Sequence, residues 1–356
     1  MVALPYPITV SAGALDRLPE LVRAAAPSHR VAIVTDSEVG PRYADRVRAS
    51  LGADRTSVFT MPSGEHHKTR DTWARLTVEM LATGFGRDTT IVGLGGGVVG
   101  DMAGFVAATY MRGVSVVLVP TTLLAMVDAS VGGKTGVDTP AGKNLVGAFH
   151  QPAAVIIDPL VLQTLPLEHL RGGFSEIVKH GVVADADYFE RASSFVEQWP
   201  LSGRQGLSQL TAIIERSVEI KAGIVARDER ESGLRRVLNF GHTIGHAIEA
   251  ATDFETPHGN AVAIGLVAEA RLAERMGVAK SGTARLIERA CRAAGLPTSL
   301  PSIPLDTIIG FTRADKKARA GRVEYALPKQ IGEMAGAEHG WTVPVEDVTV
   351  REALAT

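Results

Sequence analysis

The chain has 356 residues, 45% of them hydrophobic and 21% charged, and a net charge of −2. This is the composition of a folded chain with room for two domains, and so small a net charge gives no reason to expect nucleic acid as a partner. No apolar run reaches the length of a membrane span, and the N-terminus lacks a signal-peptide pattern.

A single cysteine, Cys291, excludes an intrachain disulfide or a cysteine-based zinc cluster. Its neighbourhood, Ile287–Ala294, reads as helical, with Cys291 a small buried apolar residue. A cytoplasmic protein is expected.

Short β-branched runs alternate with amphipathic stretches through the first half. Val31–Thr35, Thr90–Gly93, Val114–Val119 and Ala154–Ile157 read as buried strands. Pro41–Leu51 and Arg70–Ala82 carry apolar residues at helical spacing. Strands alternating with helices predict a mostly parallel, Rossmann-like α/β sheet covered on both faces.

Past Asp158 the texture changes. Phe174–Val182, Leu207–Val225, Gly241–Ala251 and Ala261–Met276 read as helices, and the next strand is expected only at Val323–Leu327. The expected organisation is an α/β N-terminal domain over residues 1–160 and a mainly α-helical C-terminal domain over 161–356, with the active site in the cleft.

Gly95-Gly96-Gly97-Val98-Val99-Gly100-Asp101 follows a strand and opens a helix expected to reach Ala108. Missing Cβ atoms let backbone N–H groups and a helix N-terminus approach a pyrophosphate; the plainer alternative is a tight turn. An acidic ribose partner should follow about twenty residues later, where the chain has only Val114–Thr121. Asp36, just beyond Val31–Thr35, is the substitute, either accepting from ribose hydroxyls or capping the next helix. A dinucleotide in a non-standard sheet topology is expected.

Val119-Pro120-Thr121-Thr122 leads through the apolar stretch Leu123–Val131, interrupted by Asp128, to Gly132-Gly133-Lys134-Thr135-Gly136 and Gly142-Lys143-Asn144. The first glycine of a nucleoside-triphosphate loop is missing, which excludes that class. Two lysines flanked by glycines suit a polyanionic ligand; a solvated loop is the alternative.

Three of the ten histidines fall within seventeen residues, in Asn239-Phe240-Gly241-His242-Thr243-Ile244-Gly245-His246 and at His258-Gly259. His242 and His246 are four apart and share a helix face. A divalent metal site is one reading, ordinary core or surface histidines the other.

Together with Pro62-Ser63-Gly64-Glu65-His66-His67-Lys68, Tyr110-Met111-Arg112-Gly113 and Glu176-Ile177-Val178-Lys179-His180-Gly181, these segments form eight motifs in family order. Over nearly its whole length the chain resembles the 3-dehydroquinate synthases, of the sugar phosphate cyclase group. The resemblance implies bound NAD⁺ and a divalent metal, zinc or alternatively cobalt. It implies a lyase that turns 3-deoxy-D-arabino-heptulosonate 7-phosphate into 3-dehydroquinate and phosphate. Transient oxidation at C5 acidifies the C6 proton; phosphate elimination, reduction and intramolecular aldol closure follow, with no net redox.

The resemblance also implies roles for particular residues. Glu176, His242 and His258 correspond to the metal ligands, and His246 to the substrate and proton-relay side. Lys134, Asn144 and one of Lys316 and Lys317 match positions that grip the phosphate or adjoining groups. Lys221, Arg235 and Asn239 match the carboxylate-binding set, and Asp128 and Lys179 lie near the ring hydroxyls. Arg112 matches an arginine that reaches the neighbouring site of a homodimer.

For NAD⁺, Asp36 fits a ribose, Gly95, Gly96, Gly97, Val98 and Asp101 the pyrophosphate, and Glu65 with Lys68 the nicotinamide-side ribose. Thr121, Thr122, Lys143 and Thr164 match further contacts. As plainer alternatives, Thr164 caps the Leu165-Pro166 turn and Glu65 with Lys68 is a surface pair. One departure stands out: the family's His-Gly-Glu is His258-Gly259-Asn260 here, which removes a carboxylate expected to support His258.

Three rivals are weaker. A sedoheptulose 7-phosphate cyclase has no use for Lys221, Arg235 and Asn239. A polyol or glycerol phosphate dehydrogenase would release NADH, and intact Glu176, His242, His258, Lys134 and Arg235 argue against a catalytically dead NAD-binding regulator.

Overall fold

The computed structural model describes residues 4–140, 142–198, 203–314, 318–319 and 322–355, so Lys316 and Lys317 lie outside the described residues. The chain divides into two compact units between Leu165 and Pro166.

The N-terminal unit contains β1 (Ile8–Val10), α1 (Leu18–Ala25), β2 (Arg30–Asp36), α2 (Gly40–Leu51), β3 (Thr56–Met61), α3 (Arg70–Ala82), β4 (Thr89–Gly95) and α4 (Gly97–Thr109). It continues with β5 (Ser115–Pro120), β6 (Lys134–Thr139), β7 (Gly142–Phe149) and β8 (Ala154–Ile157). Six strands form one parallel sheet in the order β1-β8-β5-β4-β2-β3. All seven residues of β4 are buried, as are Val31–Thr35 of β2. Burial on both faces makes such strands read as unbroken apolar runs.

From β2 the chain moves to β3 on one side, then to β4 on the other. The strand ends at this reversal are where open α/β sheets bind ligands. The register pairs Thr35 with Leu94, so Asp36 and Gly95 end adjacent strands. At the sheet's far edge, β1 pairs with β8 in the register Ile8–Val155. The Asp158 carboxylate fastens this edge by accepting from the backbone N–H groups of Gly13 and Leu15, each at 3.0 Å.

Two features differ from expectation. β6 and β7 pair antiparallel, which replaces the solvated loop given as the alternative reading of Lys134 and Lys143. Their glycines hid the strand pattern: Gly136 pairs with Gly147, and a Cβ on Gly147 would lie 2.0 Å from the Thr135 carbonyl. The apolar stretch around Asp128 contains a π-helical turn, Ala125–Ala129.

The C-terminal unit contains α5 (Leu167–Ala184), α6 (Ala186–Glu197), α7 (Gly203–Arg227), α8 (His242–Ala251), α9 (His258–Arg275), α10 (Thr283–Ala293) and α11 (Leu305–Ala314). Short strands β9 (Ala318–Arg319), β10 (Arg322–Tyr325), β11 (Pro328–Gln330), β12 (Glu333–Met334) and β13 (Val343–Val345) precede α12 (Asp347–Leu354). Helix α9 is buried almost all round from Ala261 to Ala273, the mark of a central helix. Ile244 and Ile248 of α8 and Ile264, Ala268 and Leu272 of α9 share one apolar core. Cys291 is fully buried in α10. No described helix is long and apolar enough to cross a membrane.

Candidate functional site

Glycine contacts bring three donor-bearing helices together in the C-terminal unit. On α5, Gly172 precedes Glu176 by one helical turn. Gly259, next to His258 at the start of α9, lies so close that a Cβ on it would sit 2.3 Å from the Gly172 Cα. At the start of α8, Gly241 adopts φ 78°, and a Cβ on Gly265 of α9 would lie 1.9 Å from the Gly241 carbonyl oxygen. Glu269, fully buried on α9, accepts from the N–H groups of Gly241 (2.7 Å) and Ile244 (2.9 Å). That carboxylate serves orphan donors at the N-terminus of α8, whose first residue is His242.

Glu176 is 1% exposed. One of its oxygens, Oε1, lies 3.5 Å from Nε2 of His242 and 3.6 Å from Nε2 of His258. Its other oxygen pairs with the buried Lys179 ammonium. The opposite ring nitrogens are also engaged: Nδ1 of His242 lies 3.1 Å from the Phe240 carbonyl, and Nδ1 of His258 lies 3.3 Å from the Glu249 carboxylate. With the proton on Nδ1 in each case, the Nε2 atoms beside Glu176 are the ones left to bind a metal. Two ligand atoms each ~2.1 Å from a tetrahedral zinc stand ~3.4 Å apart. The donor set therefore fits a divalent metal.

The electrostatics differ between the two imidazoles. Burial and the Lys179 ammonium hold His242 down at about 4, against the pull of Glu176. For His258 burial also disfavours charge, but Glu249 and Glu176 overcome it and push the group up to about 10. A metal arriving at His258 must displace that proton.

His246 lies one turn beyond His242, with ring centroids 5.3 Å apart, and 6.0 Å from the His258 ring. It forms an alternative ligand group with Glu249 and His258. Among the described residues a further group is Asp128, Glu176 and His180; in the Glu176, His242 and His258 group, two Nε2 atoms converge on one carboxylate oxygen.

Upstream, Arg235 is 3% exposed and Lys221 6%. Asp228 shapes the approach to Arg235 by accepting from the N–H groups of Ser232 (2.9 Å), Gly233 (2.7 Å) and Arg235 (3.0 Å). Burial works against its charge, but these donors hold its carboxyl down at about 2. The Arg235 guanidinium donates to the Glu229 carbonyl, and the Asn239 amide to the Glu231 carboxylate at 2.5 Å.

A second cluster lies in the N-terminal unit. Gly95 ends β4, Gly96 caps α4, and Gly97, Val98 and Asp101 belong to that helix. A Cβ on Gly95 would sit 2.6 Å from the Val99 side chain. The helix start and the ends of β4 and β5 line a shallow recess, with Gly95, Gly96, Gly97, Pro120 and Ala129 on its walls. Backbone N–H groups there suit an anion. Thr121 is buried, its N–H bound to the Gly95 carbonyl, while the Thr122 hydroxyl accepts from the Ala125 N–H.

Beside the recess, the Lys68 ammonium is 3% exposed, which excludes the surface-pair alternative. It reaches Asp101 Oδ2 at 2.5 Å, Asn144 Oδ1 at 2.7 Å and Glu65 at 3.7 Å. Burial opposes its charge, but the carboxylates raise its pKa well above the ordinary lysine value. Lys143 stands 3.8 Å from Glu65.

Asp138, on β6, accepts from the Asn144 N–H at 2.8 Å. Burial first, and then Glu65, push its carboxyl up to about 6 despite Lys68 and that N–H.

Asp36 accepts from the N–H groups of Glu38 and Val39 in the turn that leads into α2, whose cap position is Val39 and not Asp36. Thr164 bonds instead to the Tyr43 hydroxyl at 2.6 Å and the Val161 carbonyl at 3.1 Å. Lys134 opens β6, and Asp128 sits in the π-helical turn. Arg112 is exposed, on a turn where Met111 and Arg112 have φ 51° and 70°.

Sequence reasoning missed Glu249, Glu269, Glu231 and Asp138. One signal was available: His242, His246 and Glu249 stand at i, i+4 and i+7 and so share a face of α8.

Residues 58–172 match the 3-dehydroquinate synthase N-terminal family model and residues 173–318 the C-terminal one. The chain belongs to the 3-dehydroquinate synthase family. A 3-dehydroquinate synthase from a Synechococcus strain is 47% identical over 342 residues, covering 93% of this chain and 92% of the relative. Another, from Acidithiobacillus ferrooxidans, is 46% identical and covers 92% and 90%.

Among solved structures, 2-deoxy-scyllo-inosose synthase with carbaglucose-6-phosphate, NAD⁺ and Co²⁺ is 25% identical, with TM-score 0.85 and coverage of 98% and 95%. The 2-epi-5-epi-valiolone synthase of Streptomyces hygroscopicus, with NAD⁺ and Zn²⁺, is 26% identical, with TM-score 0.85 and coverage of 99% and 96%. This chain is thus an enzyme of the sugar phosphate cyclase kind. A probable glycerol dehydrogenase from Sinorhizobium meliloti, 18% identical with TM-score 0.65 and coverage of 99% and 96%, shares the fold alone.

Proposed function

We propose that the chain converts 3-deoxy-D-arabino-heptulosonate 7-phosphate into 3-dehydroquinate and phosphate, with a resident NAD⁺ and one zinc or cobalt ion. The observation that carries this reading is the convergence of His242 and His258 on one Glu176 oxygen, in a chain of this family. Bound NAD⁺ would supply reversible hydride acceptance at the C5 alcohol, and a metal held by Glu176, His242 and His258 would supply Lewis acidity to that hydroxyl.

In this reading Glu176, His242 and His258 hold the metal. The N-terminal unit is the NAD-binding part and the C-terminal one the metal- and substrate-binding part. Gly95, Gly96, Gly97 and Val98 cradle the pyrophosphate, with Asp101 beside them. Glu65 and Lys68 hold the nicotinamide-side ribose, and Asp36 the other ribose through the edge not used in its own turn. Thr121, Thr122, Lys143 and Thr164 complete the pocket.

Lys134, Asn144 and one of Lys316 and Lys317 grip the phosphate, whose departure requires charge neutralisation. Arg235, Lys221 and Asn239 orient the carboxylate; burial of Arg235 strengthens that pairing by excluding water. Asp128 and Lys179 bind ring hydroxyls, and His246 relays protons. Arg112, exposed on a left-handed turn, reaches the neighbouring site of a homodimer. The enzyme works in the cytoplasm.

The test supplies the heptulosonate phosphate with NAD⁺ and Zn²⁺ and follows phosphate release and NADH absorbance together. Phosphate without accumulating NADH is expected; stoichiometric NADH would identify a dehydrogenase instead.

A further inference from the structure

We propose that Glu249 is a positioning residue of the metal centre, fixing the tautomer and ring angle that aim Nε2 of His258 at Glu176. The proposal rests on the metal-site reading above and deepens it. Glu249 is 2% exposed, and its carboxylate meets Nδ1 of His258 at 3.3 Å. A carboxylate accepts only a proton-bearing nitrogen, so Nδ1–H faces Glu249, and Nε2, 3.6 Å from Glu176, is the nitrogen left to lose its proton to a metal.

Local geometry explains why His258 needs this support. It is the first residue of α9, and its side chain is 32% exposed, whereas that of His242 is 12% exposed. His242 is steadied by the backbone carbonyl of Phe240, a neutral acceptor two residues away. His258 is held instead by a charged group from a different helix, which makes its imidazole the more basic donor.

Charge balance points the same way. The Lys179 ammonium pairs with Glu176 and offsets its charge, and a nearby cation repels a dication. Glu249 restores the lost negative charge without occupying a coordination position. The residue after His258-Gly259 is Asn260, so the carboxylate expected there is supplied from α8.

The test uses the full chain, stripped of metal and reloaded with Zn²⁺ or Co²⁺. Zinc affinity is measured by chelator competition, and coordination by the Co²⁺ visible spectrum. Glu249→Gln is expected to keep one metal per chain, bind zinc about 10–100-fold more weakly, and shift the Co²⁺ bands. Unchanged affinity with an unchanged spectrum overturns the proposal while leaving the metal site standing. Complete loss of metal from a folded variant makes Glu249 a ligand and also overturns it. An unsubstituted chain that binds no metal refutes the underlying reading itself.

Should Glu249→Gln not fold, ¹⁵N NMR of the zinc-loaded native chain decides. His258 Nδ1 must carry a proton and Nε2 must not; the reverse assignment overturns the proposal.

Discussion

The contact between Gly172 and Gly259 makes an asymmetric prediction. Both glycines stand where α5 meets α9, yet a Cβ on Gly172 would lie 3.8 Å from the Gly259 Cα, an ordinary contact. A Cβ on Gly259 would lie 2.3 Å from both the Gly172 Cα and its carbonyl oxygen, and 2.6 Å from the carbonyl carbon. Carbon atoms pack at ~3.5–4.0 Å, so Gly259→Ala must push the helices apart by about 1 Å or more, with rigid backbone on both sides.

Overpacking of this kind costs about 1–3 kcal/mol, and the backbone clash sets the expectation at about 3 kcal/mol. For a unit of this size that is a fall in Tm of roughly 6–12 °C. The same displacement widens the 3.6 Å separation of His258 from Glu176, moving it away from the ~3.4 Å that one tetrahedral zinc spans. Scanning calorimetry and metal analysis should show Gly259→Ala melting early and holding zinc poorly. Gly172→Ala, which adds helix propensity, should match or exceed the native Tm. A Gly259→Ala protein with native Tm and full zinc content would refute this account of how the donors are brought together.

Three further outcomes are expected. Asp138, at about 6 in the fold against an ordinary 3.8, retains a proton that the unfolded chain has released. Stability therefore falls as pH rises from about 4 to about 6 and then levels. That titration difference is worth up to about 3 kcal/mol, reduced by partial exposure to about 1–2 kcal/mol. Asp138→Asn, which keeps the acceptor for Asn144, should recover this above pH ~6 in denaturant titrations; a native-like pH profile would count against it. His246→Ala should slow turnover at near-native metal content, and stoichiometric zinc loss would make His246 a ligand. Gly95→Ala should weaken NAD⁺ binding at least tenfold in fluorescence titration, because its methyl would strike Val99; native affinity would separate the glycine turn from the cofactor.

The central strands were legible because β2, β4, β5 and β8 are apolar on both faces, so composition alone marked them. The β6–β7 pair was not: close approach of Gly136 and Gly147 requires residues without the β-branched signal of a strand. Short β1 and the mixed sequence of β3 escaped for another reason: both contain β-branched residues, but neither forms the longer apolar run that marked the central strands. The histidine cluster announced an active region, but spacing could not say which nitrogen faces which carboxylate. That depends on Glu176 and Glu249 arriving from separate helices. Asp36 shows the reverse limit: the sequence offered ribose binding or a local role at the next helix, and only coordinates show its carboxylate engaged by the Glu38 and Val39 N–H groups.

The pairing of β1 with β8 bears on how the chain is made. β1 is made before the other five strands of its sheet, yet its neighbour there is completed only with residues 154–157. At about 5–20 residues per second, that interval lasts roughly 7–30 s. Until then Ile8–Val10 has no described strand beside it, and Gly13 and Leu15 lack the Asp158 carboxylate. This six-stranded sheet is thus closed by a late stitch joining its earliest strand to its latest. Slowing translation between them would lengthen the exposure of that edge without altering a residue of the finished enzyme.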